Sequence, residues 1–233
     1  MAPAPLTFET LSGAALTARL DALAGLRIKV FREWPYLYDG DAAYEARYLA
    51  AYAESPGALV VAASTAEGEA VGMATCQPGQ EASAKLRASW SAAGLDTAEL
   101  CYFGESVLLP EFRGQGAGVR FFMEREAHAR RLGLSIAAFC SVVRNENDPR
   151  RPRDYTPLDG FWRNRGYEPR PDISTVMHWR EVDDTRETPH VLSFWIKRLG
   201  AFSSQVESLG GSENATKLRL GAVPVNEHER KPL

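Results

Sequence analysis

Three glycines within five residues, Gly114, Gly116 and Gly118, stand between a β-rich run and an amphipathic helical stretch. Few features limit a chain more. Glycine lets the backbone enter conformations closed to other residues and approach a ligand closely, turning several N–H groups to one side. The following helix adds unpaired donors and the positive end of its dipole. Arg113, just before the first glycine, adds a charge in fork geometry. Strand, glycine loop and helix together make a cradle for a pyrophosphate.

Three nucleotide-type patterns compete for this loop. A P-loop requires Gly-Lys-Ser/Thr, but Gly118 is followed by Val119 and Arg120. A dinucleotide fingerprint counted from Gly116-Ala-Gly118 requires a small residue where Phe121 stands. It also requires an acidic residue closing the next strand, and the run from Ser135 to Val143 ends at Arg144. Arg-x-x-Gly-x-Gly fits, with Arg113, Gly116 and Gly118.

The rest of the chain reads as a soluble α/β domain. Of 233 residues, 45% are hydrophobic and 24% charged, which excludes a fibrous or disordered chain. A net charge of -3 argues against nucleic acid or an anionic membrane as partner, local patches aside. Cys76, Cys101 and Cys140 lie apart in apolar contexts, as reduced core residues of a cytoplasmic protein would. No apolar run spans a membrane, and Met1-Ala-Pro-Ala-Pro does not read as a secretion signal. The four histidines show no paired spacing, so no metal is expected.

Periodicity predicts a short strand over 6–11 and a helical stretch carrying Leu16, Leu20, Leu23, Leu26 and Val30. After the aromatic turn 34–41, Asp41 is placed to cap a helix over 42–53. The runs 58–63 and 70–76 read as an antiparallel hairpin, followed by a helix over 81–93 and a strand over 100–109. Beyond the glycine loop, Val119, Phe122, Met123 and Ala127 are expected on one helix face, with Glu124, Glu126, Arg130 and Arg131 largely elsewhere. A strand over 135–143, a short helix over 158–165 and strands over 174–182 and 190–197 complete the domain, taken as residues 4–200. Residues 201–233 shift to Ser, Gly, Glu and Asn and read as a poorly ordered tail. The sequon at Asn214 lies within it.

Arg113-x-x-Gly116-x-Gly118 in this setting resembles the acetyl-CoA motif of the GNAT superfamily of N-acetyltransferases. Phe161-Trp-Arg-Asn-Arg-Gly-Tyr167 resembles that family's second motif, and Phe194-Trp-Ile-Lys197 a common closing strand. The resemblance implies a GNAT fold: a mixed, mostly antiparallel sheet of about seven strands flanked by helices, here with one extra helix at 81–93. It implies acetyl-CoA as co-substrate and acetyl transfer to a primary amine of a small molecule or peptide, through a tetrahedral intermediate. A non-catalytic acyl-CoA-binding module and a transferase of longer acyl groups stay open, as does homodimerisation.

By the same resemblance, the amides of Gly114, Gln115, Gly116, Ala117, Gly118 and Val119 would bind the pyrophosphate. Val107, Leu108 and Leu109 would pair with the pantetheine arm like an added strand. Asn145 would stand near the pantetheine. An ammonium must lose a proton before it attacks, and Glu105 is the first choice as base, with an ion pair or a solvent-facing position as the plain alternative. Ser106 would face the other way unless a bulge at Gly104 changes the phase. Relatives often carry tyrosine where Trp162 stands, and an indole is no proton donor to a thiolate. Tyr155 is therefore the candidate acid, against a loop tyrosine packed on the sheet or no dedicated acid at all. Phe161 and Trp162 read first as core. Arg150, Arg151 and Arg153 could recruit an acidic substrate or the 3′-phosphate of CoA, or be partly neutralised by Asp148 and Asp154. Trp34, Tyr36 and Tyr38 with Asp39 and Asp41 could line an acceptor site or simply pack.

Overall fold

The structure is a computed structural model and describes residues 5–200. Within them, β1 (Thr7–Leu11), α1 (Gly13–Thr17), α2 (Leu20–Phe31) and α3 (Ala42–Glu54) precede the hairpin β2 (Leu59–Ser64) and β3 (Ala70–Pro78). There follow α4 (Ala84–Ala92), β4 (Leu100–Leu108), α5 (Ala117–Arg131), β5 (Ile136–Val142), α6 (Asp159–Arg163), β6 (Glu168–Trp179) and β7 (Thr188–Arg198). The proposed tail, its sequon and His228 lie outside the described residues.

Seven strands form one sheet in the order β1-β2-β3-β4-β5-β7-β6. Every neighbouring pair is antiparallel except β4 and β5. That parallel pair joins only Leu100, Cys101 and Tyr102 to Ile136, Ala137 and Ala138. Yet β4 runs on to Leu108 and β5 to Val142, so the two strands part and leave an opening in the middle of the sheet.

The faces explain the alternation. Val60, Ala62, Val71 and Met73 bury on α2 and α3, whereas Val61, Ala63, Ala74 and Cys76 face α5 with Phe121 and Phe122. Fully burying an aliphatic side chain contributes roughly 1.5–3 kcal/mol, so a one-residue slip of β2 or β3 would forfeit several such contributions. Asp41 caps α3 as expected, accepting from the Tyr44 N–H at 2.8 Å.

Four expectations change. The first helical stretch breaks at Ala18 and Arg19 into α1 and α2. The buried face of α5 is Ala117, Phe121, Phe122, Arg125, Glu126 and Ala129, while Met123 is 57% exposed. Helix α6 is shorter than 158–165. Strand β6 begins at Glu168, not Ser174, because Pro169 and Pro171 sit on an edge strand where a missing N–H costs little. Its three residues 171–173 bulge out between Arg170 and Ser174, turning Ile173 into the core.

Candidate active site

The glycine loop sits where β4 ends beside the opening. Pro110–Phe112 makes one 3-10 turn, and Gly114 (φ +79°) and Gly116 (φ +85°) then adopt left-handed conformations. A Cβ built at either meets nothing within 4 Å, so the backbone there faces open space. Gly116 is the N-cap of the 15-residue α5 and has no side-chain cap; the first intrahelical bond is Arg120 N–H to Gly116 O, 3.1 Å. The amides of residues 117–119 therefore have no partner further up the helix. Unfilled space, orphan donors and a positive dipole end suit a diphosphate. Gly118 serves packing instead. A Cβ there would stand 3.1 Å from Phe161 Cζ, so glycine lets α6 close on α5. Gln115 is exposed and Ala117 buried. Arg113 does not point freely at the cradle. Its Nη2 pairs with Glu33 at 3.2 Å and its Nε donates to Leu108 O at 3.2 Å, tying the loop to the end of α2.

Upstream, a bulge decides which way Glu105 points. Cys76 pairs with Phe103 and Ala74 with Ser106, so Gly104 and Glu105 together oppose Thr75. The extra residue reverses the alternation. Phe103 faces α5, but Glu105, Val107 and Leu109 turn to the side of α2 and α3, where Ser106 would otherwise point. Ser106 instead accepts from Arg125 Nη2 on the α5 side, 2.8 Å away. The same guanidinium donates to the carbonyls of Thr75 (3.3 Å) and Glu105 (3.2 Å), satisfying acceptors the bulge frees from the ladder. Thr75 Oγ1 accepts from the Glu105 N–H at 3.2 Å.

The Glu105 carboxylate lands in a buried polar cluster. Its Oε2 pairs with Arg27 Nη1 at 2.8 Å and accepts from Tyr48 Oη at 2.9 Å. Tyr48 and Tyr52 hydroxyls lie 3.1 Å apart. Arg27 also pairs through Nε with Glu45 Oε2 and stacks over the Tyr48 ring, 4.1 Å from its centroid. Burial pulls the Arg27 pKa down, but Glu105, Tyr48 and Glu45 outweigh it and raise the net value. Tyr48, Tyr52 and Tyr36 are all raised, by burial first, so they stay protonated at neutral pH. Oε1 of Glu105 is buried and has no hydrogen-bond partner among the described residues; the same holds for Oε1 of Glu45 and for Arg27 Nη1, whose contact with Glu105 is a charge pair without hydrogen-bond alignment. The plain ion-pair reading of Glu105 is thus correct for one oxygen, and the other is left over.

Tyr155 and Asn145 meet at the far end of β5. Both line a cavity of about 310 Å³ with Trp34, Ser141, Asp159 and Trp195. Tyr155 packs edge-on against Trp34 (centroids 6.1 Å), under the Arg151 guanidinium. Burial raises its pKa. Asn145 Oδ1 accepts from the Asn147 N–H at 2.9 Å, closing the turn that opens the loop.

Within the arginine patch, Arg150 is ion-paired and Arg151 donates to the Glu146 carbonyl at 3.4 Å. Arg150 pairs with Asp148 (2.8 Å) and, with Arg144, with Glu181. Arg144 also donates to the carbonyls of Pro35 and Tyr36, so Glu181 ties the 145–155 loop to the aromatic turn. Hydrogen bonds from Arg150 pull the Asp148 pKa down to about 2.

Phe161 and Trp162 are core-packed: Trp162 lies 4.9 Å from Trp195 and 5.1 Å from Phe139, and Phe161 packs on Phe122. The three cysteines are free and buried, and burial pushes the Cys140 thiol up to about 11. Among the described residues no group of His, Cys, Asp or Glu could hold a metal, and no helix is long and apolar enough to cross a membrane.

Sequence reading missed Arg27, Glu45, Tyr48 and Arg125. For the three ionisable ones the signal was a charge on a core-facing stripe: Arg27 four residues after Leu23, Glu45 four before Leu49, Arg125 between Phe121 and Ala129.

The sequence profile of the acetyltransferase (GNAT) family matches residues 26–152. A search of the curated proteins finds no match. Solved structures share the fold. One is yncA from Salmonella typhimurium with its cofactor acetyl-CoA, 14% identical, TM-score 0.53, covering 87% of this chain and 99% of that one. Another is an N-acetyltransferase from Staphylococcus aureus Mu50, 10% identical, TM-score 0.55, covering 84% and 100%. A ribosomal-protein-alanine N-acetyltransferase from Brucella melitensis is 15% identical, TM-score 0.53, over 83% and 99%.

Proposed function

Since the chain belongs to the GNAT acetyltransferase family, whose members transfer acetyl from acetyl-CoA, we propose that it is an N-acetyltransferase acting on a primary amine of a small molecule or peptide. The observation that carries this reading is the parting of β4 and β5 directly beside a glycine loop whose backbone faces open space. The amides of residues 114–119 would hold the pyrophosphate, and the backbone of Val107 to Leu109, past the last β4–β5 pair, would bond the pantetheine arm. Arg113 keeps the loop in place through Glu33 and serves the phosphates by holding that backbone. Bound acetyl-CoA supplies the thioester that the amine attacks directly.

Glu105 receives the proton from the amine at Oε1, since Oε2 is engaged by Arg27 and Tyr48. Holding one oxygen fixes the carboxylate's orientation, which a general base needs. Tyr155, kept protonated by burial in the cavity beyond β5, would give a proton to the departing thiolate. Asn145 in the same cavity orients the pantetheine amide. A carboxylate set among aromatic rings favours a cationic acceptor.

Release of free CoA thiol with a panel of primary amines tests this. Glu105→Gln is expected to lower kcat by about 10²–10⁴-fold while leaving the acetyl-CoA dissociation constant unchanged. Full activity in that variant refutes the base assignment. Tight acetyl-CoA binding with no transfer to any amine would instead fit an acyl-CoA-binding module.

A further inference from the structure

Two buried carboxylates share one guanidinium. Glu45 is fully buried on α3, Glu105 is 8% exposed, and both bind Arg27 through Oε2, leaving each Oε1 without a partner among the described residues. Ion pairing in an interior ordinarily matches charges one to one, because an extra buried charge is expensive. Here one guanidinium holds two carboxylates, and one of them belongs to the residue proposed as base.

We propose that Glu45 is a positioning residue for the transfer reaction, drawing part of the Arg27 charge away from Glu105 so that its carboxylate keeps its appetite for a proton. This rests on the reading of Glu105 as the base. A carboxylate with Arg27 to itself would face an undivided positive charge. With Glu45 on the other side of the same guanidinium, that charge is shared between two carboxylates. The remaining groups facing the pair do not take Glu45's place. Tyr48 and Tyr52 from α3, Tyr36 from the turn and Tyr102 from β4 stay neutral with raised pKa values, as does Tyr38, which faces Glu45 from the turn. Arg125, fully buried and without a carboxylate partner among the described residues, approaches from α5, donates to the Glu105 carbonyl and also acts on Glu105 by its charge, unchanged in the Glu45 variants. Glu45 also fixes geometry. It takes Nε of Arg27 while Glu105 takes Nη1, so the guanidinium cannot swing to cover both Glu105 oxygens.

A unit charge roughly 6 Å away at an effective dielectric of about 20 moves a titration by about one to two pH units. Carboxyl ¹³C spectra of glutamate-labelled protein identify Glu105 as the signal lost in Glu105→Gln. In Glu45→Gln the pH midpoint of that signal, and the acid limb of kcat/KM, are expected to fall by about one unit or more. Arg27→Met alone leaves two unpaired buried carboxylates and is a poor folding prospect. The double variant Arg27→Met/Glu45→Gln removes both charges, and its midpoint is expected to return towards the native position. An unmoved midpoint in folded Glu45→Gln overturns the proposal. A midpoint that moves while the rate profile does not, with Glu105→Gln fully active, overturns the base reading and with it the catalytic role of Glu45, leaving only the coupling.

Discussion

Gly104→Ala is the smallest change that should disturb the site from within. A Cβ at this position would stand 2.5 Å from Thr75 Oγ1 and nearer still to Tyr52 Oη. Neither atom can step aside cheaply. Thr75 is fully buried and its Oγ1 accepts from the Glu105 N–H; Tyr52 is 3% exposed and its hydroxyl bonds Tyr48. Overpacking of this kind costs about 1–3 kcal/mol, and losing the Thr75 bond about 1 more. At about 2–4 °C per kcal/mol for a domain of this size, the melting temperature should fall by about 5–15 °C. Displacing Tyr52 pulls on Tyr48 and so on Glu105, so kcat should fall about tenfold or more, while acetyl-CoA binding, proposed to use the backbone beyond residue 106, should be retained. Calorimetric melts and steady-state acetylation measure both. Tyr52→Phe removes the closest atom, so adding it to Gly104→Ala should recover about 1 kcal/mol beyond its own effect. A Gly104→Ala protein that melts within about 1 °C of the native one, or a double variant with purely additive losses, would refute the close approach.

Gly116→Val places a side chain in open space, so its penalty is conformational: about 1–2 kcal/mol for a left-handed β-branched residue, and a weaker acetyl-CoA affinity by calorimetric titration as the loop amides turn away. Tyr155→Phe keeps the packing on Trp34 and removes the proton; kcat should fall about tenfold or more with amine KM little changed, most visibly for poor leaving thiols. His190 stacks on Trp179 at 3.7 Å and burial lowers its pKa. The neutral form is therefore the folded one. Its contribution is present above the unfolded-state value of about 6.5 and is lost as pH falls through the lower folded-state value. Chemical denaturation at pH 7 and pH 5 should show this loss, and His190→Gln should reduce it.

The strand–glycine loop–helix arrangement was legible because it is local. The left-handed Gly114 and Gly116 stand in one short segment between β4 and α5, while Gly118 turned out to serve packing on Phe161 and Arg113 to pair with Glu33. The hairpin 59–78 and the Asp41 cap were legible for the same reason. The direction of Glu105 was not. It depends on a bulge fixed by Thr75 and Tyr52, which come from β3 and α3, and by Arg125 from α5. Spacing within β4 contains none of that information. The face of α5 was misjudged because Met123 looked apolar enough to be core and Arg125 and Glu126 too polar; Arg125 buries by feeding four acceptors, and Glu126 by pairing with Lys197 (2.8 Å) and Tyr167 (3.2 Å). Strand β6 was cut short by two prolines that an edge strand tolerates.

Hydrogen exchange with and without acetyl-CoA reads the cradle amide by amide. Slowed exchange is expected at two separate stretches, the β4 end (residues 106–109) and the glycine loop with the first turn of α5 (residues 114–120), because ligand donors and acceptors replace water there. The groove between α4 and β6, lined by Ser89, Ala92 and Thr175, should be unaffected. Protection confined to that groove, or no protection at saturating acetyl-CoA, would contradict the assignment of the cofactor to the β4–α5 loop.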